Sequence, residues 1–84
     1  MKTLISTYED MLRQFELRNY VRVIPKADKL LRGFEEKFHL KAYTLKGYSH
    51  LYEGQGVEAL AAFRAGVERY PDDTELQFGL GTTL

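Results

Sequence analysis

Cysteine is absent from the 84 residues. That leaves no disulfide framework, no thiol nucleophile and no Cys-based zinc site, and it fits a reducing compartment. Net charge is also absent, with twelve Lys plus Arg against twelve Asp plus Glu. A domain held to nucleic acid mainly by phosphate neutralisation is therefore excluded as an expectation. The balance hides an asymmetry: residues 1–46 hold ten basic and six acidic side chains, residues 47–84 two basic and six acidic. Such polarity can favour head-to-tail contacts or an acidic partner, although solvated helical faces commonly produce it. Long hydrophobic runs are missing too. The opening "MKTLISTYEDMLRQF" reaches Glu9 and Asp10 before any apolar run forms, so it reads as neither signal peptide nor membrane span. The expectation is a soluble, cytoplasmic protein. Alternating patterns and Asn-Gly turns are lacking, which leaves no strand. At this length folding removes only roughly 60–65% of the surface of an extended chain, so a single small domain is expected.

What is present is helical periodicity. Leu4, Ile5, Tyr8, Met11, Leu12 and Phe15 recur at three and four, predicting an amphipathic helix from Thr3 to Phe15 that Arg18-Asn19 interrupts. A second helix runs from about Tyr20 to Phe34 with Val23, Ala27, Leu30, Leu31 and Phe34 on one side. Pro25 is harmless if this helix starts near Ile24 and forces a kink if it starts at Tyr20. A third helix covers about Leu40 to Tyr52, with Leu40, Tyr43, Gly47 and Leu51 along one stripe. "EGQG" (53–56) predicts a turn in which two glycines supply positive φ. A fourth helix follows in "VEALAAFRAGVERYP", which Pro71 stops. Asp72, Asp73 or Thr74 can cap a fifth that runs to Leu84.

The fourth helix carries Ala59, Phe63 and Gly66 on one face, since offsets of four and seven are neighbours on a 3.6-residue turn. Gly47 recurs as Gly81, and "YTLKGYSH" (43–50) falls against "QFGLGTTL" (77–84). Ala59, Phe63 and Pro71 follow Gly47 twelve, sixteen and twenty-four positions on. This pattern resembles the tetratricopeptide repeat, a helix-turn-helix with a period of about 34 residues reading W-x2-L-G-x2-Y, then A-x3-F, then P. Tyr43 stands where that family has Trp, Gly47 matches its glycine, Ala59 and Phe63 its small-then-large pair, and Pro71 its closing proline. Leu80 and Gly81 match the Leu-Gly pair of a following unit, with Gln77 at the Trp position. Lys46 replaces the leucine and His50 the tyrosine. Residues 1–39 match loosely, with Val23 and Ala27 where Ala and Phe are usual, in a unit slightly longer than the repeat. The resemblance implies an all-α, right-handed superhelix of antiparallel helix pairs, an α-solenoid of about five helices. Residues 1–39 would be a divergent hairpin, 40–73 a complete repeat and 74–84 the first helix of a next repeat or a cap. Gly47 and Ala59 set a close approach of helices and Phe63 fills the space between them.

No arrangement of residues motivates catalysis, a metal or a cofactor. His39 and His50 are eleven apart with no further ligand pattern. Ser49 and His50 are adjacent and point to different sides of a helix. "EGQG" and "GLG" lack the preceding strand of a phosphate-cradling loop. Glu35-Glu36 and Asp72-Asp73 read as helix-end charges.

The resemblance implies that the first helix of each pair lines a concave face that holds a peptide or helix. The matching positions are Lys41, Thr44, Tyr48, Leu51 and Tyr52 in the complete repeat, Glu75, Phe78 and Thr82 after it, and Ile5, Tyr8, Leu12 and Phe15 in the loose first unit. Tyr48, Tyr52 and Phe78 lead these, with Lys41, Thr44 and Tyr8 beside them, because amphipathic aromatics offer large contact area with few rotors to freeze. Tyr8, Leu12, Phe15 and Leu51 serve equally as inter-helix core. No cluster of Lys and Arg is present to clamp a carboxylate, so a hydrophobic helix or extended apolar segment is the natural ligand. Leu76, Phe78, Leu80 and Leu84 have no following helix to cover them. A longer repeat protein, self-association through this end, or a helix from a partner would each supply the cover. Three functions compete: a protein-interaction module or part of a larger scaffold, a small tetratricopeptide-like chaperone that sequesters an aggregation-prone client as in bacterial secretion systems, and an architectural subunit of a large assembly.

Overall fold

A computed structural model describes residues 4–84. Among them the chain forms five α-helices and no strand: α1 Leu4–Glu16, α2 Tyr20–Arg32, α3 His39–Tyr52, α4 Gly56–Arg69 and α5 Thr74–Thr83, with a short 3₁₀ turn Glu36–Phe38 before α3. The predicted start at Thr3 lies outside the described residues. The first four helices, each of three to four turns, are about 20 Å long, and the links between them are too short to do anything but fold each helix back on the last. The overall extents of 39 × 25 × 17 Å leave a short axis that holds two layers of helices at about 8–10 Å spacing. Each helix packs on its chain neighbours, and α3 also meets α5.

Helix ends explain the turns. Arg18 adopts φ 62° and Gly54 φ 74°, and each follows a helix in the same hydrogen-bonded motif. Asn19 N–H donates to Gln14 O at 2.9 Å and Arg18 N–H to Phe15 O at 3.0 Å; Gln55 N–H donates to His50 O at 2.8 Å and Gly54 N–H to Leu51 O at 3.0 Å. This left-handed C-terminal cap occupies carbonyls that the helix leaves open. Gly56, predicted to share the positive φ of Gly54, instead begins α4. Asp73 caps α5 by accepting from Leu76 N–H at 2.9 Å. α2 starts at Tyr20 with Pro25 in its interior, which decides the ambiguity left by the sequence. Pro25 and Val21 both face solvent, so the carbonyl left without the proline's N–H can be hydrated.

Phe34, expected on the apolar side of the second helix, is fully exposed at 99%. α2 ends at Arg32, Gly33 turns into extended backbone (φ −82°, ψ 165°), and Phe38 takes the buried place instead.

Two cores result, with α3 between them. Met11, Val23, Ala27, Leu30, Phe38, Ala42 and Leu45 form the first; Ala59, Phe63 and Leu76 form the second, with Leu40, Tyr43, Tyr48, Leu51 and Leu80 packed against it. Phe63 has no exposed surface. A Cβ built on Gly47 would fall 2.5 Å from its Cε1, and one built on Gly79 would meet the same ring. The expected glycine-to-phenylalanine contact is therefore present at Gly47. Gly81, the glycine one repeat period after Gly47, has nothing within 4 Å of a built Cβ. Gly79 takes the ring because α5 presents that residue to the preceding helix, while Gly81 faces the side on which no described helix follows.

The first core solves the same crossing with sizes exchanged. Met11 and Ala27 precede Gly47 and Phe63 by one and the same offset, and both are wholly buried. Both belong to the first core, with the large residue on the first helix and the small one on the second, the reverse of Gly47 and Phe63. Tyr43 is half-buried with its ring 6.5 Å from that of Tyr70, and its Cβ lies over Gly66. Pro71 is exposed just beyond the end of α4. Lys46 and His50, the departures from the repeat pattern, have separate uses: Lys46 pairs with Asp28 of α2 at 2.6 Å, and His50 Nδ1–H donates to Gln55 Oε1 at 2.7 Å across the turn after α3.

Candidate partner-binding groove

Lys41, Thr44, Leu45, Tyr48 and Tyr52 recur on α3 at spacings that keep them on one side, and α1 and α5 flank that side. A groove of about 510 Å³ results, lined by Leu12 and Phe15 of α1, these five residues of α3, and Glu75 and Phe78 of α5. Five of the six leading candidates, Lys41, Thr44, Tyr48, Tyr52 and Phe78, thus meet in one depression. Tyr8 does not line it. Its ring pairs with Phe38 at 4.8 Å and packs against the first core. Leu51 packs on the second core, and Ile5 and Thr82 are exposed outside the groove.

The walls differ in what they offer. Phe78 is 69% exposed and Tyr52 57%, so both present large apolar surface at the rim. Thr44 is buried and its hydroxyl donates to Leu40 O at 2.9 Å; it floors the groove without a free donor. Tyr48 bridges core and groove, its ring edge-on to Phe63 at 5.0 Å and stacked on Tyr52 at 6.1 Å. Burial pushes the Tyr48 phenol above its ordinary value, and the Glu75 carboxylate and Tyr52 reinforce the shift. At neutral pH it is an uncharged donor in an aromatic wall.

That wall continues to a residue the sequence did not point to. Tyr20 lies 4.9 Å from Tyr52 and 5.5 Å from Phe15, and Phe15 lies 6.4 Å from Tyr52. Tyr20 and Phe15 sit on opposite sides of a turn, where helical spacing says nothing about proximity. Leu45 escapes the sequence reading because it lies one residue beyond the stripe through Thr44 and Tyr48.

Elsewhere the polar residues serve structure. His39 Nε2–H donates to Gly33 O at 3.0 Å, tying the start of α3 to the end of α2. Ser49 Oγ is buried without a protein partner and His50 is bonded to Gln55, so the two form no nucleophile–base pair. Glu36 pairs with Arg69 at 2.5 Å. Among the described residues no group of three or more His, Cys, Asp or Glu is placed to hold a metal, and no described helix is long and apolar enough to cross a membrane. Compared with protein-family models, curated proteins and solved structures, the chain matches none.

Proposed function

We propose that the protein is a non-enzymatic interaction module of tetratricopeptide-like architecture that holds an apolar helix or extended segment of a partner protein between α1, α3 and α5. The observation that carries this reading is the convergence of Phe15, Tyr48, Tyr52 and Phe78 from three helices on one groove, with Tyr52 and Phe78 mostly exposed. Rigid aromatics at a depression give binding energy at low entropic cost. The repeat architecture draws support from the matching caps after α1 and α3, with left-handed residues at Arg18 and Gly54. The size-exchanged Met11–Ala27 and Gly47–Phe63 crossings are separated by the same offset as those caps. A groove along α3 from Lys41 to Tyr52 is about 16 Å long, which accommodates about three turns of helix.

A fluorescent amphipathic helical peptide with leucines on one face tests the reading by anisotropy. Tyr52→Ala and Phe78→Ala, both at exposed positions, are expected to weaken binding about tenfold each, the scale of interface anchors. Phe34→Ala and Val57→Ala, exposed apolar residues outside the groove, are expected to leave it unchanged. Equal losses at Phe34 or Val57 would mean non-specific adhesion and would overturn the assignment.

A further inference from the structure

Lys41 and Glu75 are the two charged groups of the groove. Both are exposed, they lie on neighbouring helices α3 and α5, and among the described residues neither forms an ion pair within the chain. Phe78, the most exposed of the groove's large apolar side chains, stands three residues from Glu75 on the same helix. One face thus combines a cation, an anion, an apolar knob and an aromatic depression.

Resting on the groove reading above, we propose that one occupant of the groove is a second copy of this chain, docked about a two-fold axis. In a two-fold contact, if residue i of one copy meets residue j of the other, then j meets i. A surface carrying a single plus and a single minus charge beside a knob and a hollow satisfies that relation with itself. Lys41 of each copy faces Glu75 of the other, and each Phe78 enters the depression beside Thr44 and Tyr48 of the other. Opposite charges fix the register, and like charges brought opposite each other exclude the shifted arrangements. The whole chain is neutral, so no net repulsion opposes pairing.

The contact is small. A groove about 16 Å long and two helix spacings wide offers roughly 300–400 Å² per copy, about half the area per partner of a standard interface and in the range of weak, transient encounters. The dimer is accordingly weak and concentration-dependent. It occupies the same groove that a partner segment needs, so self-pairing and partner binding exclude one another, and the dimer keeps Tyr52 and Phe78 covered until a partner displaces it.

Sedimentation velocity from about 5 μM to about 500 μM, spanning the dissociation constants such a small contact gives, tests the proposal through a charge swap at exposed positions. Wild type is expected to move from monomer toward twice the 9.7 kDa monomer mass as concentration rises, and adding the leucine-faced peptide is expected to return it to monomer. Lys41→Glu places acid against acid at both contacts and Glu75→Lys places base against base, so each variant alone is expected to associate at least about tenfold more weakly. An equimolar mixture of the two restores opposite charges at both contacts, as does the Lys41→Glu/Glu75→Lys double variant, and both are expected to associate like wild type. A wild type that stays monomeric throughout, single variants that pair as well as wild type, or a mixture that fails to recover would each overturn self-pairing. Peptide binding that still depends on Tyr52 and Phe78 in a monomeric wild type would leave the groove reading standing; loss of that dependence would remove both.

Discussion

Phe63 has no accessible surface and rests against two helix backbones, at Gly47 and Gly79, that offer no side chain. The pairing with Gly47 was legible because the step from that glycine on one helix to Phe63 on the next matches a hairpin of fixed length. The pairing with Gly79 was not, because a shift of one repeat period from Gly47 marks Gly81, and periodicity alone does not say which residue of α5 turns toward the Phe63 ring. The distinction has an experimental consequence of opposite sign. Gly47→Ala forces the Phe63 ring aside and is expected to destabilise by about 1–2 kcal/mol, overpacking outweighing the gain in helix propensity. Gly81→Ala, with open space around the new methyl, is expected to stabilise by about 0.5 kcal/mol. Urea denaturation of the two variants distinguishes them, and a stabilised Gly47→Ala would contradict the crossing. Tyr48 carries a second consequence. Its native phenol holds its proton more tightly than the unfolded chain does, so this contribution to stability is complete below the ordinary tyrosine value of about 10 and is lost as pH rises through the raised native value. Ultraviolet titration of the tyrosinate band should show a late-ionising fraction that Glu75→Gln shifts to lower pH; no shift would mean that the Glu75 charge does not reach the ring.

Helix number, the all-α class and most helix spans followed from apolar spacing, and the stop before Pro71 from its ring. The failures share a cause: they lie where a cap overrides periodicity. Phe34 continues the apolar stripe of α2 in sequence, yet Gly33 ends the helix one residue earlier and the buried place passes to Phe38, the last residue of the 3₁₀ turn. Pro25 leaves the start of α2 open in the sequence between Tyr20 and Ile24; Asn19 O already accepts from Arg22 N–H at 3.0 Å, and α2 begins a full turn before the proline. α1 ends with Arg18 in the left-handed region that Gly54 occupies after α3, so one cap is built with an L side chain and the other with glycine. Arg18→Gly is therefore expected to stabilise by about 0.5–1 kcal/mol, relieving the steric cost of a side chain at positive φ against the larger unfolded-state entropy of glycine. Thermal melting reads this as a rise of a few degrees for a domain of this size; a lower midpoint would show that the Arg18 side chain contributes contacts worth more than the strain.

For the molecule as a whole, alternation of helices decides where surface is left over. α3 is covered by α2 and α4 and keeps one side open between α1 and α5, and that side collects the aromatic residues. Five of the six leading candidates, named through the repeat resemblance, line one groove because they fall on one stripe of α3 and one turn of α5. Tyr8 went astray because its spacing suits the groove and the first core alike, and Phe38 claims it. The charge asymmetry between chain halves survives folding: Lys26 is tied to Asp10 at 2.7 Å and Lys46 to Asp28 at 2.6 Å, and since both pairs lie within residues 1–46 they leave the positive excess of that half unchanged. The Lys26 ammonium, with help from Gln14, holds the Asp10 carboxyl below the usual carboxylate range.

Backbone amide chemical shifts of the labelled protein, recorded while the leucine-faced helical peptide is added at low protein concentration, test the groove most directly. The account predicts perturbations centred on Leu12, Phe15, Thr44, Tyr48, Tyr52 and Phe78, with Phe34, Val57 and the α2 surface around Pro25 unmoved. Perturbations centred on those latter residues, or spread evenly over all five helices, would contradict it.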